Sequence, residues 1–91
     1  MIYDVLRTTQ FKKDCKRMKK RGRDRKDLED ILDKLRAGEK LPAKNRDHEL
    51  VGDLVGFREC HIAPDWLLVY YILNERLVLV CSRTGSHSDL F

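Results

Sequence analysis

The run Trp66-Leu67-Leu68-Val69-Tyr70-Tyr71-Ile72-Leu73 constrains this chain more than any other stretch. Side chains of an extended segment alternate between two faces, and here both faces are apolar. A strand of that kind belongs in the middle of a sheet with other structure covering it. The first half of the chain supplies the cover, because its apolar period changes to that of a helix. Phe11, Cys15 and Met18 fall at i, i+4 and i+7 on one helical face, and Leu28, Ile31, Leu32 and Leu35 repeat at i, i+3, i+4 and i+7 on a second. Thr8 or Thr9 can cap the first helix, and Gly22 ends it. Asp24 can cap the second, with Gly38 at its end and Pro42 beyond.

Four further segments read as strands: residues 2–7, a short one around His48–Val51, Gly56–Ile62 and Arg76–Arg83. Gly52-Asp53, Ala63-Pro64-Asp65 and Asn74-Glu75 are turn signals, and connections this short favour antiparallel neighbours. The order predicts an α+β fold: an N-terminal strand, then a helical hairpin packed on a curved antiparallel sheet of about four strands. At 91 residues a second folded domain is not expected, so residues 1–91 read as a single domain. With 42% hydrophobic residues the chain can form a core, which argues against disorder throughout. No apolar run approaches the roughly 20 residues of a membrane span, and the opening MIYDVLRTTQFKKD lacks the pattern of a secretory signal. A soluble, cytoplasmic protein without a membrane partner is expected.

Charge is distributed unevenly. Residues 1–47 hold 16 Lys and Arg against 9 Asp and Glu, a balance of +7, while residues 48–91 hold 3 against 6, a balance of −3. The basic character concentrates between Phe11 and Lys26. Lys12, Lys13, Lys16, Arg17, Lys19, Lys20 and Arg21 give the first helix the charge density that a polyanion-binding face needs. A solvated helix face that keeps the protein soluble would have the same composition.

The acid-poor, basic-poor half holds all three histidines, His48, His61 and His87, each at or just past a strand end. Antiparallel pairing can bring such positions toward one edge of the open sheet face. Asp65 and Trp66 follow His61 closely, and Arg83, Ser86, Ser88 and Phe91 surround His87. Imidazoles for proton transfer, a carboxylate to orient them, a guanidinium for a phosphate oxygen and aromatics for stacked bases make up a kit for cutting RNA without a metal. Trp66 serves equally well as core, and Arg83 as a cross-strand partner of Glu59. Cys15, Cys60 and Cys81 are odd in number and widely spaced, so they describe neither a disulfide framework nor a zinc clasp and read as reduced, mostly buried thiols. Cys60 and His61 are adjacent in a strand and point to opposite faces, no pair has the spacing of a structural metal site, and no cofactor is implied. Ser86-His87 lacks the G-x-S-x-G elbow of a serine hydrolase.

Three stretches carry a resemblance: residues 47–52 (DHELVG), residues 56–70 (GFRECHIAPDWLLVY) and residues 83–91 (RTGSHSDLF). With the opening strand and basic hairpin in the same order, essentially the whole chain resembles the YafQ branch of the RelE-like toxins from bacterial type II toxin–antitoxin pairs. The resemblance implies an endoribonuclease that cuts mRNA in the ribosomal A site and so inhibits translation. It further implies a cognate antitoxin, acidic where it wraps the toxin, and operator DNA bound through the toxin–antitoxin complex. It marks His48, His61, Asp65 and His87 as catalytic, Arg83 as a phosphate ligand, and Trp66 and Phe91 as shaping the substrate end. Within that set His87 is expected as general acid and His48 or Asp65 as base, with His61 supporting the transition state. Leu54 stands where relatives often carry an aromatic. A basic nucleic-acid-binding or repressor module without catalysis would explain the hairpin equally well but gives the histidines no reason to cluster.

Overall fold

The structure is a computed structural model that describes residues 2–91. Its elements follow the chain as β1 (Asp4–Arg7), α1 (Thr9–Lys20), α2 (Arg25–Arg36), β2 (His48–Glu49), β3 (Arg58–Ala63), β4 (Trp66–Leu73), β5 (Val78–Gly85) and the one-turn helix α3 (His87–Leu90). Thr8 caps α1 by accepting a hydrogen bond from the Phe11 amide, and Asp24 caps α2 by accepting from that of Lys26. Among the described residues no helix is long and apolar enough to cross a membrane.

The sheet runs β1-β5-β4-β3-β2. β2, β3, β4 and β5 are the expected four antiparallel strands, and the N-terminal strand joins the same sheet in the other sense. β1 lies at the edge beside β5 and runs parallel to it, with Asp4 opposite Val78 and Arg7 opposite Cys81. Turn residues inform only about strands adjacent in sequence; the partner of β1 lies near the other end of the chain, across the helical crossover. β5 also begins and ends two residues later than expected, since the β4–β5 turn extends through Leu77, which adopts a left-handed conformation at φ 54°. That shift places Thr84 and Gly85 inside the strand.

β4 occupies the centre, as its two apolar faces require. Trp66, Leu68 and Tyr70 pack with Phe11, Met18, Leu28, Ile31, Leu32 and Leu35 of the helices, while Leu67 and Val69 are buried on the opposite face. Cys60 and Cys81 are buried free thiols, Cys15 is half-buried, and burial pushes the Cys81 thiol up to about 12.

One charged group sits inside this core. The Asp14 side chain on α1 is fully buried and accepts hydrogen bonds from Arg83 Nε at 2.8 Å, Arg83 Nη2 at 3.2 Å, Arg17 Nη2 at 3.0 Å, Gln10 Nε2 at 3.1 Å and the Thr84 amide at 3.2 Å. Burial raises its pKa, but the hydrogen bonds from Arg83, Gln10 and Thr84 prevail together and hold the carboxyl below its ordinary 3.8. The stability it contributes is therefore complete above about pH 4 and is lost as pH falls through the depressed value.

Thr84 extends the network, accepting from Trp66 Nε1 at 2.9 Å and donating to the Leu67 carbonyl at 2.6 Å. Removing one partner of a buried ion pair costs about 3–5 kcal/mol, and the part-exposed arginines place this one near the lower figure. At roughly 4–8 °C per kcal/mol for a domain of this size, Asp14→Ala should melt at least ~12 °C below the parent. A change within a few degrees in thermal circular dichroism would show that Arg83 and Thr84 find other partners.

Candidate active site

Strand register builds the site. His48 stands opposite Glu59 in the β2–β3 pair, and Glu59 opposite Val69 in the β3–β4 pair. His61 follows Glu59 at i+2 and so shares its face, the one turned away from the helices, while Cys60 between them points into the core. Glu59 is only 6% exposed, with His48 Nε2 at 3.8 Å and His61 Nε2 at 3.9 Å from the same carboxylate oxygen. One buried carboxyl group thus lies between two imidazoles.

The tautomer of His48 follows from its other contact. His48 Nδ1 lies 2.6 Å from the Arg46 carbonyl, which can only accept, so Nδ1 carries the hydrogen and the lone pair of the neutral ring is on Nε2. Arg46 reaches this position through a left-handed turn at φ 49°.

His87 arrives from the other side. Ser86 ends the extended chain after β5 and caps α3, so His87 is the first helical residue. Both its amide, at 3.2 Å, and its ring Nδ1, at 3.0 Å, donate to Oδ1 of Asp65 in the β3–β4 turn. Those two hydrogen bonds, the ring's first, hold the exposed Asp65 carboxyl below its ordinary 3.8. Nε2 of His87 is left to carry or release a proton. The His61 and His87 rings approach edge to face with centroids 5.7 Å apart.

The structure thus brings His48, His61, Asp65 and His87 onto one face and adds Glu59. The remaining expected residues are placed differently. Trp66, 2% exposed, faces the helices, where Arg23 lies over its ring at 5.8 Å from the centroid. Arg83 meets Asp14 and not Glu59, because β4 and β5 shift register between Val69 and Tyr70 and Glu59 is on β3, beyond β4. Phe91 is exposed beyond α3, its amide donating to the His87 carbonyl at 2.9 Å. On α1, Lys12, Lys13, Lys16, Lys19 and Lys20 are exposed. Arg17 and Arg21 are committed within the protein: Arg17 to Asp14, and Arg21 to Asp89, whose carboxyl that guanidinium holds well below the usual range.

Glu59, His61 and His87 each offer a ligand atom, all within 4.8 Å of one another. This grouping was invisible to the spacing rules for metal sites, since its members come from β3 and α3. Glu59 itself is legible in the sequence only as a cross-strand partner for Arg83.

Residues 3–91 match the family model for the bacterial toxin of type II toxin–antitoxin systems, YafQ. The chain belongs to the YafQ toxin family. It is 36% identical over 89 residues to the mRNA interferase toxin YafQ of Escherichia coli K12, covering 97% of this chain and 95% of that one. Among solved structures it resembles a metal-bound toxin from Helicobacter pylori, with 42% identity, TM-score 0.92 and all of both chains covered. It also resembles the toxin in the E. coli DinJ–YafQ toxin–antitoxin complex, with 35% identity, TM-score 0.88, and 100% and 99% coverage. The expected resemblance and fold class are both borne out, and the YafQ assignment covers the elements that carry every histidine.

The Asp65–His87 pair can be tested in this YafQ-family chain directly. In a carboxyl-detected NMR titration the Asp65 midpoint should lie below 3.8, and in His87→Ala it should return toward that value. An unchanged midpoint would mean that the two side chains do not meet in solution.

Proposed function

We propose that this YafQ-family toxin cuts mRNA in the ribosomal A site, inhibiting translation, by metal-independent transesterification with His48 and His87 as the proton-transfer pair. The observation that carries this reading is the meeting of His61 and His87, with Asp65 on the far nitrogen of His87 and Glu59 beneath His61 and His48. The related E. coli protein, named an mRNA interferase toxin, supports the same activity here.

The ribose 2′-hydroxyl attacks the adjacent phosphorus, and His48 Nε2 takes its proton. The bond from phosphorus to the 5′-oxygen breaks, and His87 Nε2 protonates the departing oxygen, leaving a 2′,3′-cyclic phosphate and a free 5′-hydroxyl. Each such group contributes about 10²- to 10⁴-fold. Asp65, held by the ring of His87, acts as its orienting partner, which leaves the role of base to His48. His61, beside Glu59, supports the transition state at the equatorial oxygens. Arg83 spends Nε and Nη2 on Asp14 and turns its remaining Nη1 to a phosphate oxygen. Trp66 acts by holding Thr84 and the end of β5, and Phe91 offers a ring to a base. Lys12, Lys13, Lys16, Lys19 and Lys20 meet ribosomal RNA.

The cognate antitoxin is the expected protein partner, as in the DinJ–YafQ complex of the relative, with operator DNA bound through the toxin–antitoxin pair. The whole scheme places the protein in the cytoplasm, as one folded unit.

A second occupant of the same site is favoured by the grouping of Glu59, His61 and His87 and by the metal-bound state of the H. pylori relative. Two imidazoles and a carboxylate suit Zn²⁺ or Cu²⁺. A metal there would occupy the His87 nitrogen that the second proton transfer needs, so it would inhibit.

Primer extension on mRNA held in purified ribosomes should show a cut inside the A-site codon. His87→Ala should reduce the rate by at least ~10²-fold while leaving the melting temperature nearly unchanged, since the exposed imidazole adds little packing. Cutting by His87→Ala at the parent rate would overturn the assignment of the acid. On a model RNA without ribosomes, Zn²⁺ should suppress cleavage and a chelator restore it. Cleavage that instead requires the added metal would overturn the metal-independent scheme.

A further inference from the structure

His87 rides on a helix of four residues, and a helix that short does not hold itself, because nucleation fixes several dihedral angles for one hydrogen bond. Its support lies on one side chain. The Asp89 carboxylate accepts from the Ser86 amide at 2.9 Å, while the Asp89 amide donates to Ser86 Oγ at 3.2 Å, closing a reciprocal cap around His87. The same carboxylate accepts from Nη1 and Nη2 of Arg21 at 2.5 and 3.0 Å, with Arg17 Nε at 3.9 Å. Arg21 is the first residue after α1, so the fork ties the corner of the helical hairpin to the turn that carries His87.

The fit is close. A Cβ on Gly85 would lie 2.9 Å from both Cβ and Oδ2 of Asp89, so the residue before Ser86 must be glycine for the carboxylate to fold beneath the turn. Asp89 is mostly buried, whereas the lysines of α1 extend into solvent. We infer that Arg21 and Asp89 form a latch that positions His87 for proton transfer, with Arg21 acting through Asp89 and not as an RNA contact. This assigns Arg21 a place in the proposed reaction that its membership of a basic helix face conceals, and it rests on the nuclease reading above.

Single-turnover cleavage of ribosome-held mRNA separates the alternatives when it is measured against toxin concentration. For Arg21→Ala and Asp89→Ala the maximal rate should fall about 10- to 100-fold, the scale of a misplaced catalytic group, with the half-saturating concentration within ~2-fold of the parent. Arg21→Lys should recover only part of the rate, because it keeps the charge and loses the fork. The double variant should be no slower than the worse single one, as for residues acting as a unit. A raised half-saturating concentration with an unchanged maximal rate would make Arg21 an RNA contact and overturn the latch, and so would rates unchanged in both variants. Thermal melting reports whether each variant folds; if Arg21→Ala does not, Ser86→Ala removes only the hydroxyl of the cap and should show the same split. Should the parent cut no RNA, the nuclease reading falls by itself. The latch is then read from cross-relaxation between the ring protons of His61 and His87, which Arg21→Ala should abolish and which its persistence there would refute.

Discussion

The arrangement depends on a buried carboxylate. Asp14 is the point at which the helical layer is fixed to the sheet by direction as well as by apolar contact, because its acceptors can be satisfied only when Arg83 and the Thr84 amide arrive from β5 in one register. Apolar packing alone tolerates sliding. A desolvated charge with hydrogen bonds on several sides does not, since each displaced partner leaves a buried group unpaired. From Thr84 the constraint passes to Trp66 and the Leu67 carbonyl, and so to the central strand. What looks like a catalytic arginine beside a catalytic tryptophan in the sequence is first a scaffold.

The site uses the face that this scaffold leaves free. β3 alternates Cys60 inward with Glu59 and His61 outward, so a single strand contributes to the core and to the candidate site without compromise between them. Glu59 is the exception, an acid that packing has largely removed from water and that two imidazoles approach at 3.8 and 3.9 Å. An acid so placed needs polar neighbours, and the ring nitrogens of His48 and His61 are the ones that approach it. The carboxylate is both a cost to the fold and a source of field for the imidazoles.

Much of this was legible. The period of the apolar residues located both long helices and the central strand, because those elements exist to bury a stripe or a two-sided surface, and Thr8, Asp24 and Gly22 punctuate them where local hydrogen bonding demands. The parallel β1–β5 pair was not legible, since nothing local to Asp4–Arg7 refers to Val78. The clustering of His48, His61 and His87 was legible as a topological expectation, but their partners were not. Asp65 is marked in the sequence by proximity to His61 and in the structure holds His87; Glu59 reads in the sequence as an ordinary cross-strand charge. α3 leaves no mark in the sequence, four residues being too few to show a period.

The basic segment shows how one composition can conceal two functions. Between Phe11 and Lys26 the arginines and lysines divide by chemistry. Arg17 pairs with Asp14, Arg21 with Asp89 and Arg25 with Glu29, while Arg23 lies over the Trp66 ring. The guanidinium suits these places, being weakly hydrated, planar and able to bond a carboxylate with two nitrogens or to stack on an aromatic face. Among the described residues, none of the lysine side chains at 12, 13, 16, 19, 20 and 26 is engaged in an ion pair. Their ammonium groups remain hydrated point charges on flexible stems, suited to a phosphate backbone that presents charge without fixed geometry. The arginines therefore hold the fold and the turn that carries His87 in place, and the positive charge of this segment left outside ion pairs among the described residues is that of the lysines.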